Sequence, residues 1–441
     1  ERRYAARDKC AGAGARTAED KGIRMRLQSV KSSLFVAMLV AAVSVVGAAD
    51  NCGKACQGNW VAAWGTAQQL AVPVRAIPSR DTYPLKLTAQ TVRMVARTTV
   101  AGKAVRVALS NSFGYAPVRI DAATLARQAS GPALRPGSSR PLTFGGNASV
   151  MLAPGAQIYS DPIVYDAPAQ TDLVVSLYVA GDSGPTTAHP IGLRAAWTAP
   201  GDQAAAEQLR DATQFRSYLW LAGIDVLAAP QAATIVAFGD SITDGFSTTP
   251  DADTAWPSVL ARSLAAQRRS APRSVINMGI SGNRVLKDGA GSSALARFDR
   301  DVLARPGVRW VLLLEAINDI GFSAIPGLPA SEKVTAEEII AGYRMLIGRA
   351  HLHRLSIIGC TLTPFQGVNT YTEAGEQMRQ TVNRWIRESG EFDAVVDFDA
   401  ATRDPSMPAR LLAKFDSGDH IHPNDAGNLA MAAAIDLKLF K

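Results

Sequence analysis

Four short segments hold residues suited to nucleophilic chemistry. Gly239-Asp240-Ser241-Ile242-Thr243-Asp244-Gly245 sets a serine between glycines. Asn277-Met278-Gly279-Ile280-Ser281-Gly282-Asn283-Arg284 offers glycine N–H groups that no side chain shields, so a ligand can come close. Glu315-Ala316-Ile317-Asn318-Asp319 brings a side-chain amide donor. Asp416-Ser417-Gly418-Asp419-His420-Ile421-His422-Pro423 spaces Asp419 and His422 three residues apart. That spacing lets a carboxylate meet imidazole Nδ1, fix its tautomer and stabilise the imidazolium. A serine hydroxyl needs such a base, because it is a weak nucleophile near neutral pH. Three of the segments also have an ordinary use: Ser241 and Asn318 as helix caps, 277–284 as a plain turn.

The elements around these segments decide between the two uses. From Thr234 onward, short apolar runs alternate with amphipathic ones. Thr234–Phe238, Ser274–Met278, Trp310–Leu314, Leu355–Cys360 and Ala394–Phe398 read as strands. Ala336–Ala350, Glu373–Glu388 and Asn424–Leu437 read as helices, the first with Ile339, Ile340, Tyr343, Leu346 and Ile347 on one face. Five βα units in order imply an α/β domain, a parallel sheet covered on both faces. Ligands bind such sheets at the carboxyl ends of the strands, where the first three segments fall; the fourth directly precedes the last helix.

Residues from Trp60 to about Pro200 have a different texture. Gln90–Thr99 and Lys103–Ser110 alternate apolar and polar residues, and Arg119–Arg127, Asp172–Ala180 and Leu193–Thr198 continue the pattern. Turn signals such as Phe113-Gly114, Gly145-Gly146 and Pro154-Gly155 separate them. The expectation is an all-β sandwich or jelly-roll-like domain over 50–227, closed by a strand at Ser217–Val226. Ala204–Arg210 reads as a short helical connector, and Ala228–Ala232 as a linker to a second domain at 233–441.

The four segments, in this order, resemble the SGNH/GDSL hydrolase superfamily. The blocks match as Ser241 in GDS, Gly282 in ISGN, Asn318 before Asp319, and Asp419 with His422 in DxxHP. The stretches FGDSITDG, LARFDRDVLARPGVRW and SGDHIHPNDAGN resemble secreted bacterial GDSL-type esterases with an N-terminal β-domain. The resemblance covers roughly 233–441 and implies a flavodoxin-like three-layer α/β/α domain with a five-stranded parallel sheet. It implies Ser241 as nucleophile, His422 as base and Asp419 as its orienting carboxylate. The oxyanion donors would be the backbone N–H groups of Ser241 and Gly282 and the amide of Asn318. No metal or organic cofactor is implied. One residue departs from the family pattern: Ala316 stands where a glycine is usual.

Asp240, Asn283 and Arg284 flank these motifs and are candidate substrate contacts. Phe322 and Phe365, in the loops 320–333 and 361–371, are candidates for an acyl or sugar pocket, or simply packed aromatics. Asp319 is expected to brace its turn, and Arg284 has a surface salt bridge as its plainer role. His189 is expected to be structural or at the domain contact, with lining the cleft as the lesser alternative. The pairs His351/His353 and His420/His422 lack a third ligand nearby, and no HExxH occurs, so no metal site is expected. A Walker loop and a GxSxG elbow are absent from the sequence, which disfavours nucleotide hydrolysis and the α/β-hydrolase fold.

The 441 residues, 47% hydrophobic and 19% charged, suffice for two or three folded domains. The formal charge of +7 hints at nucleic acid, but residues 1–49 carry nine of the 46 basic and four of the 39 acidic residues. The remainder is nearly neutral, a poor match for a phosphate backbone. Met25, Arg26 and Lys31 precede a 13-residue apolar run, Leu34–Val46, and then Gly47, Ala48 and Ala49. That order is expected of a signal peptide over 25–49, with an apolar run too short to span a bilayer and cleavage near Ala49. Residues 1–24 are expected to be an upstream extension outside the fold. Cys52 and Cys56 could pair as a disulfide in an oxidising compartment, or stand as two thiols; Cys360 is expected as a buried filler.

The leading expectation is a secreted esterase, extracellular or periplasmic, acting on short acyl groups, acetyl foremost. Its substrate would be a small ester or an acylated polysaccharide. The alternatives are a lipase, arylesterase or lysophospholipase with the same triad, an acyltransferase using the same acyl-enzyme, or a glycan-binding protein with an inactive hydrolase domain.

Overall fold

The computed structural model describes residues 52–71, 83–267, 270–325 and 327–441. The extension over 1–24, the leader over 25–49 and the cleavage position near Ala49 lie outside the described residues.

The parallel sheet has five strands: Ala233–Gly239, Arg273–Gly279, Val308–Leu314, Ser356–Cys360 and Ala394–Val396. Their spatial order is second, first, third, fourth, fifth, and every pairing is parallel. This is the flavodoxin-like order expected, with its switch point beside the first strand. All seven residues of that first strand are buried, as a central strand covered on both faces requires. Among the described residues the α-helices are, in order, α1 (Ser241–Asp244), α2 (Trp256–Ala265), α3 (Ala294–Phe298), α4 (Ile317–Ser323), α5 (Ala336–Leu352), α6 (Glu373–Glu388), α7 (Phe398–Thr402) and α8 (Asp425–Ala433). They pack in two groups, α2 with α8 and α7, and α5 with α3 and α6. Trp256 meets Phe398 in the first group and Tyr343 meets Trp385 in the second.

Most boundaries shift by one or two residues from the expectation, and two of the shifts have a visible cause. The fifth strand stops at Val396, because the Asp397 side chain accepts the Ala400 N–H and caps α7 there. The last α-helix ends at Ala433, and a short 3-10 turn capped by Asp436 follows.

The N-terminal region is all-β. One antiparallel sheet joins Trp60–Gly65, Leu221–Leu227, Gly102–Ser110 and Gln157–Tyr159, with Ile163–Ala167 also paired to Gly102–Ser110. The other runs Thr213–Phe215, Ala196–Pro200, Thr88–Thr98, Thr171–Asp182, Ala122–Ser130 and Ala133–Leu134. Val61, Val105, Val107 and Leu109 of the first sheet share one core with Val92, Met94, Leu125, Leu173 and Val175 of the second. Alternate residues of Thr88–Thr98 point the other way, and Arg93 among them is fully buried.

Arg93 overturns one expectation. Its guanidinium donates to the carbonyls of Pro132, Gln203 and Ala206 and to Ser176 Oγ. The Gln203 side chain also accepts from Arg210 N–H and donates to Arg210 O. The backbone groups that a helix over Ala204–Arg210 would use are taken, and the segment is a series of turns. Burial lowers the Arg93 pKa to about 10. The expected strand Ser217–Val226 is two, Tyr218–Leu219 and Leu221–Leu227, broken at Trp220, whose φ is 56°. Tyr218–Leu219, Thr187–His189 and Gln69–Leu70 form a third small sheet. Cys52 and Cys56 are joined as a disulfide, and Cys360 is a buried thiol.

The β region and the α/β region belong to one compact unit. Ala62 N–H donates to Pro306 O, and Thr99 Oγ1 meets Ser274 Oγ at 3.0 Å. The connection at 228–232 is held in place, with Asn59 Nδ2 donating to Ala229 O and Ala232 O.

Candidate active site

The first strand ends at Gly239, and Asp240 caps the four-residue helix that starts with Ser241. Asp240 Oδ1 accepts the Ile242 N–H at 2.9 Å. Burial raises the Asp240 carboxyl well above the usual carboxylate range. The helix packs tightly on the end of the second strand: a Cβ on Gly279 would lie 2.2 Å from Asp244 N, so only glycine fits there.

Ser241 Oγ lies 2.8 Å from His422 Nε2, and His422 Nδ1 lies 2.7 Å from Asp419 Oδ2. The loop carrying the last two is built by Asp416. Its Oδ1 accepts the N–H groups of Gly418 and His420, and its Oδ2 meets His420 Nδ1 at 2.6 Å. Asp419 Oδ1 accepts the N–H groups of Ile421 and His422. Burial would raise the Asp419 carboxyl, but the His422 hydrogen bond and charge, with those two N–H groups, outweigh it and hold the acid far below the usual range. The Phe246 ring covers His422 at 4.5 Å between centroids.

Ser241 and His422 open into a cleft of about 670 Å³ that Gly282 and Asn318 also line. Gly282 turns the loop after the second strand at φ 82°, a conformation that suits glycine. One hydrogen of Asn318 Nδ2 is held by Asn283 O at 2.9 Å, which leaves the second for a ligand. The buried Arg297 of α3 ties these parts together. It donates to Gly239 O, Met278 O and Asn283 Oδ1, and pairs with Asp301 and Glu315.

The candidate substrate contacts divide. Phe322 lines the cleft. Asp240, Asn283, Arg284 and Phe365 are not among its lining residues, each for a visible reason. Asp240 is fully buried as a helix cap. Asn283 spends its amide on Ala290 O and Ser292 O. Arg284 pairs with Glu332 at 2.9 Å and stacks over Phe322. Phe365 is fully buried against Tyr371. Asp319 does not brace its own turn; its carboxylate accepts Val285 N–H and Leu286 N–H and so holds the loop after the second strand. His420 pairs with Asp416, and His351 with Asp393. His189 stands at the contact between the two regions, bonded to Asp244.

The expected site lacks a wall that the structure supplies. Gln69, Leu70, Phe113, Pro190 and Ile191, all from the β region, line the same cleft as Ser241. Phe246 and Ile421 add to it from the α/β side, and most of the lining is apolar. No local sequence signal marks these β residues; Phe113 reads as half of a turn.

Residues 237–430 match the GDSL-like lipase/acylhydrolase family. Ser241, Gly282, Asn318, Asp419 and His422 all fall within the matched span. That match supports a carboxylic ester hydrolase of the SGNH superfamily. A catalytic mutant of an acetylxylan esterase from Geobacillus stearothermophilus is 26% identical over 46% of this chain and 91% of its own, with a TM-score of 0.35. Another acetyl xylan esterase is 20% identical over 46% of this chain and 96% of its own, also at 0.35. No curated protein matches the chain.

Proposed function

We propose that the protein hydrolyses carboxylic esters through an acyl-enzyme on Ser241. The observation that carries this reading is the line from Ser241 Oγ to His422 to Asp419, at 2.8 and 2.7 Å, on the wall of one cleft. His422 Nε2 takes the Oγ proton as Oγ attacks the ester carbonyl, then returns it to the leaving alcohol. Asp419, kept ionised by its neighbours, holds the imidazole in position and stabilises its charged form. The N–H groups of Ser241 and Gly282 and the free Asn318 hydrogen receive the oxyanion. Loss of one such donor typically costs about 10²–10³ in rate. Water activated by His422 then releases the acid.

For the substrate, the sequence expectation is a short acyl group, acetyl foremost, on a saccharide, met after export. The cleft favours a second reading. An acetyl group fills a small part of about 670 Å³, and Leu70, Phe113, Ile191, Phe246, Phe322 and Ile421 offer little to sugar hydroxyls. Such walls suit an aryl or medium-chain ester. Hydrolysis of p-nitrophenyl esters from acetate to decanoate, beside Ser241→Ala, tests both. Turnover lost in the variant and peaking at acetate supports the acetyl esterase; a peak at longer chains supports the second reading. Turnover that survives Ser241→Ala overturns the mechanism. Glycan binding without turnover at any length supports an inactive hydrolase domain.

A further inference from the structure

His189 sits in the β-region strand Thr187–His189, paired to both Tyr218–Leu219 and Gln69–Leu70. It is buried, and its ring lies 6.5 Å from the Tyr218 ring. Both of its nitrogens face acceptors: Nδ1 is 2.8 Å from Ala67 O, and Nε2 is 2.9 Å from Asp244 Oδ1. Neither a carbonyl nor a carboxylate has a hydrogen to give, so both nitrogens carry one and the ring is an imidazolium. Burial pushes the ring toward neutrality, but the Asp244 charge and hydrogen bond, with the Ala67 carbonyl, outweigh it and raise its pKa.

Asp244 is the last residue of the helix that begins with Ser241. Its second oxygen, Oδ2, accepts Ser281 N–H at 3.1 Å and Ser281 Oγ–H at 2.7 Å. Ser281 directly precedes Gly282. One carboxylate thus receives the β region on one oxygen and the oxyanion loop on the other, from within the nucleophile's own helix.

We infer that His189 is a positioning residue for the oxyanion loop, acting through Asp244 on Ser281 and so on the Gly282 N–H. The inference rests on the proposed function, since it assigns the β region a part in that same site. An imidazolium cannot rotate away from its two acceptors without leaving a buried carboxylate unpaired, so Asp244 is held in one place. The two Ser281 donors then set where the next peptide group points. Without the cation, the Asp244 carboxylate is buried with only the two Ser281 bonds, and it moves to regain a partner.

The test compares His189→Gln, Ser281→Ala and the double variant in ester hydrolysis, with thermal unfolding of each and Ser241→Ala as control. The inference expects His189→Gln to lower kcat by about 10-fold to 100-fold while KM stays within about twofold, because an oxyanion donor acts on the transition state. Ser281→Ala lowers kcat in the same way. The double variant falls no further than the worse single one, as expected for residues in one chain of contacts. Unchanged kcat in folded His189→Gln, with only a lower melting temperature, overturns the inference, and so do losses that multiply in the double variant. If His189→Gln does not fold, Asp244→Asn replaces it and must show the same loss and the same non-additivity with Ser281→Ala. Activity surviving Ser241→Ala refutes the proposed function; an inactive Ser241→Ala beside a fully active His189→Gln refutes only this inference.

Discussion

Ala316 shows how a single residue can be visible in sequence while its meaning is not. The family pattern marks it as the departure from glycine; the backbone supplies the reason glycine is usual. Ala316 has φ 110° and ψ −11°, is fully buried, and caps α4 two residues before Asn318. A side chain in that region carries a strain of about 1–3 kcal/mol that glycine escapes, offset in part by the greater freedom glycine has when unfolded. Ala316 is not among the residues lining the cleft, so its methyl group does not narrow the site. Ala316→Gly is therefore expected to raise unfolding stability by about 1 kcal/mol, the balance of those two effects. Activity should stay within about twofold. Chemical denaturation of both forms measures the first and ester hydrolysis the second; a lower midpoint for the glycine form would contradict the strain argument. Ser241, His422 and Asp419 were legible because their types and spacing state their chemistry. Arg297 was not, because a buried arginine that serves three strand-end and loop acceptors looks in sequence like any helix arginine.

At the scale of elements, periodicity located the five strands and the long helices. Glu373–Glu388 has the expected bounds, and α5 begins with the Thr335–Glu338 capping box. What periodicity could not show is competition for backbone groups. Asp397 ends a strand that apolar residues would have continued, and Arg93 unmakes a helix from a distance of more than 100 residues in sequence. The cleft's second wall is the same kind of long-range fact. Phe113 stands in the turn after Gly102–Ser110; its N–H donates to Thr187 Oγ1, and Arg300 of the α/β region lies over its ring at 5.1 Å. That turn is thus fixed from both sides and presents a rigid apolar surface to the cleft. Phe113→Ala removes a large part of that surface. An aromatic contact of this size contributes about 1.5–3 kcal/mol when fully buried, so kcat/KM for aryl or medium-chain esters should fall roughly 10-fold or more. Acetate, too short to span the cleft, should lose little. Equal effects across the chain-length series would show that substrate does not use the β wall.

At the scale of the whole molecule, the β and α/β regions lie in one compact unit and both line one cleft, and the charges act in two opposite pH windows. Asp225 and Asp319 are both raised to about 6, chiefly by burial. A carboxyl raised on folding contributes stability that is full below about pH 4 and lost as pH rises through about 6. Asp397 is the reverse. Burial would raise it, but its bidentate pair with Arg387, the Ala400 N–H and Thr361 hold it at about 2. Its contribution is full above the unfolded value near 4 and lost as pH falls through about 2. Below pH 4 the raised carboxyls have nothing further to give, so the acid limb reports the lowered ones. Asp397→Asn removes the ionised partner at every pH. The variant should melt below the native protein at pH 6, and the gap should narrow as pH falls from about 4 toward 2, where the native carboxyl protonates as well. Arg387 also meets Asp399, so the pair is one edge of a network with Arg379 and Glu376, and the gap at neutral pH measures Asp397 together with the ordering it lends Arg387. Melting temperatures of both forms across pH 2–7 decide the matter. A gap that stays constant down to pH 2 would mean that Asp397 stabilises by packing and hydrogen bonding alone, and that its charge has no part in holding α6 to the end of the sheet.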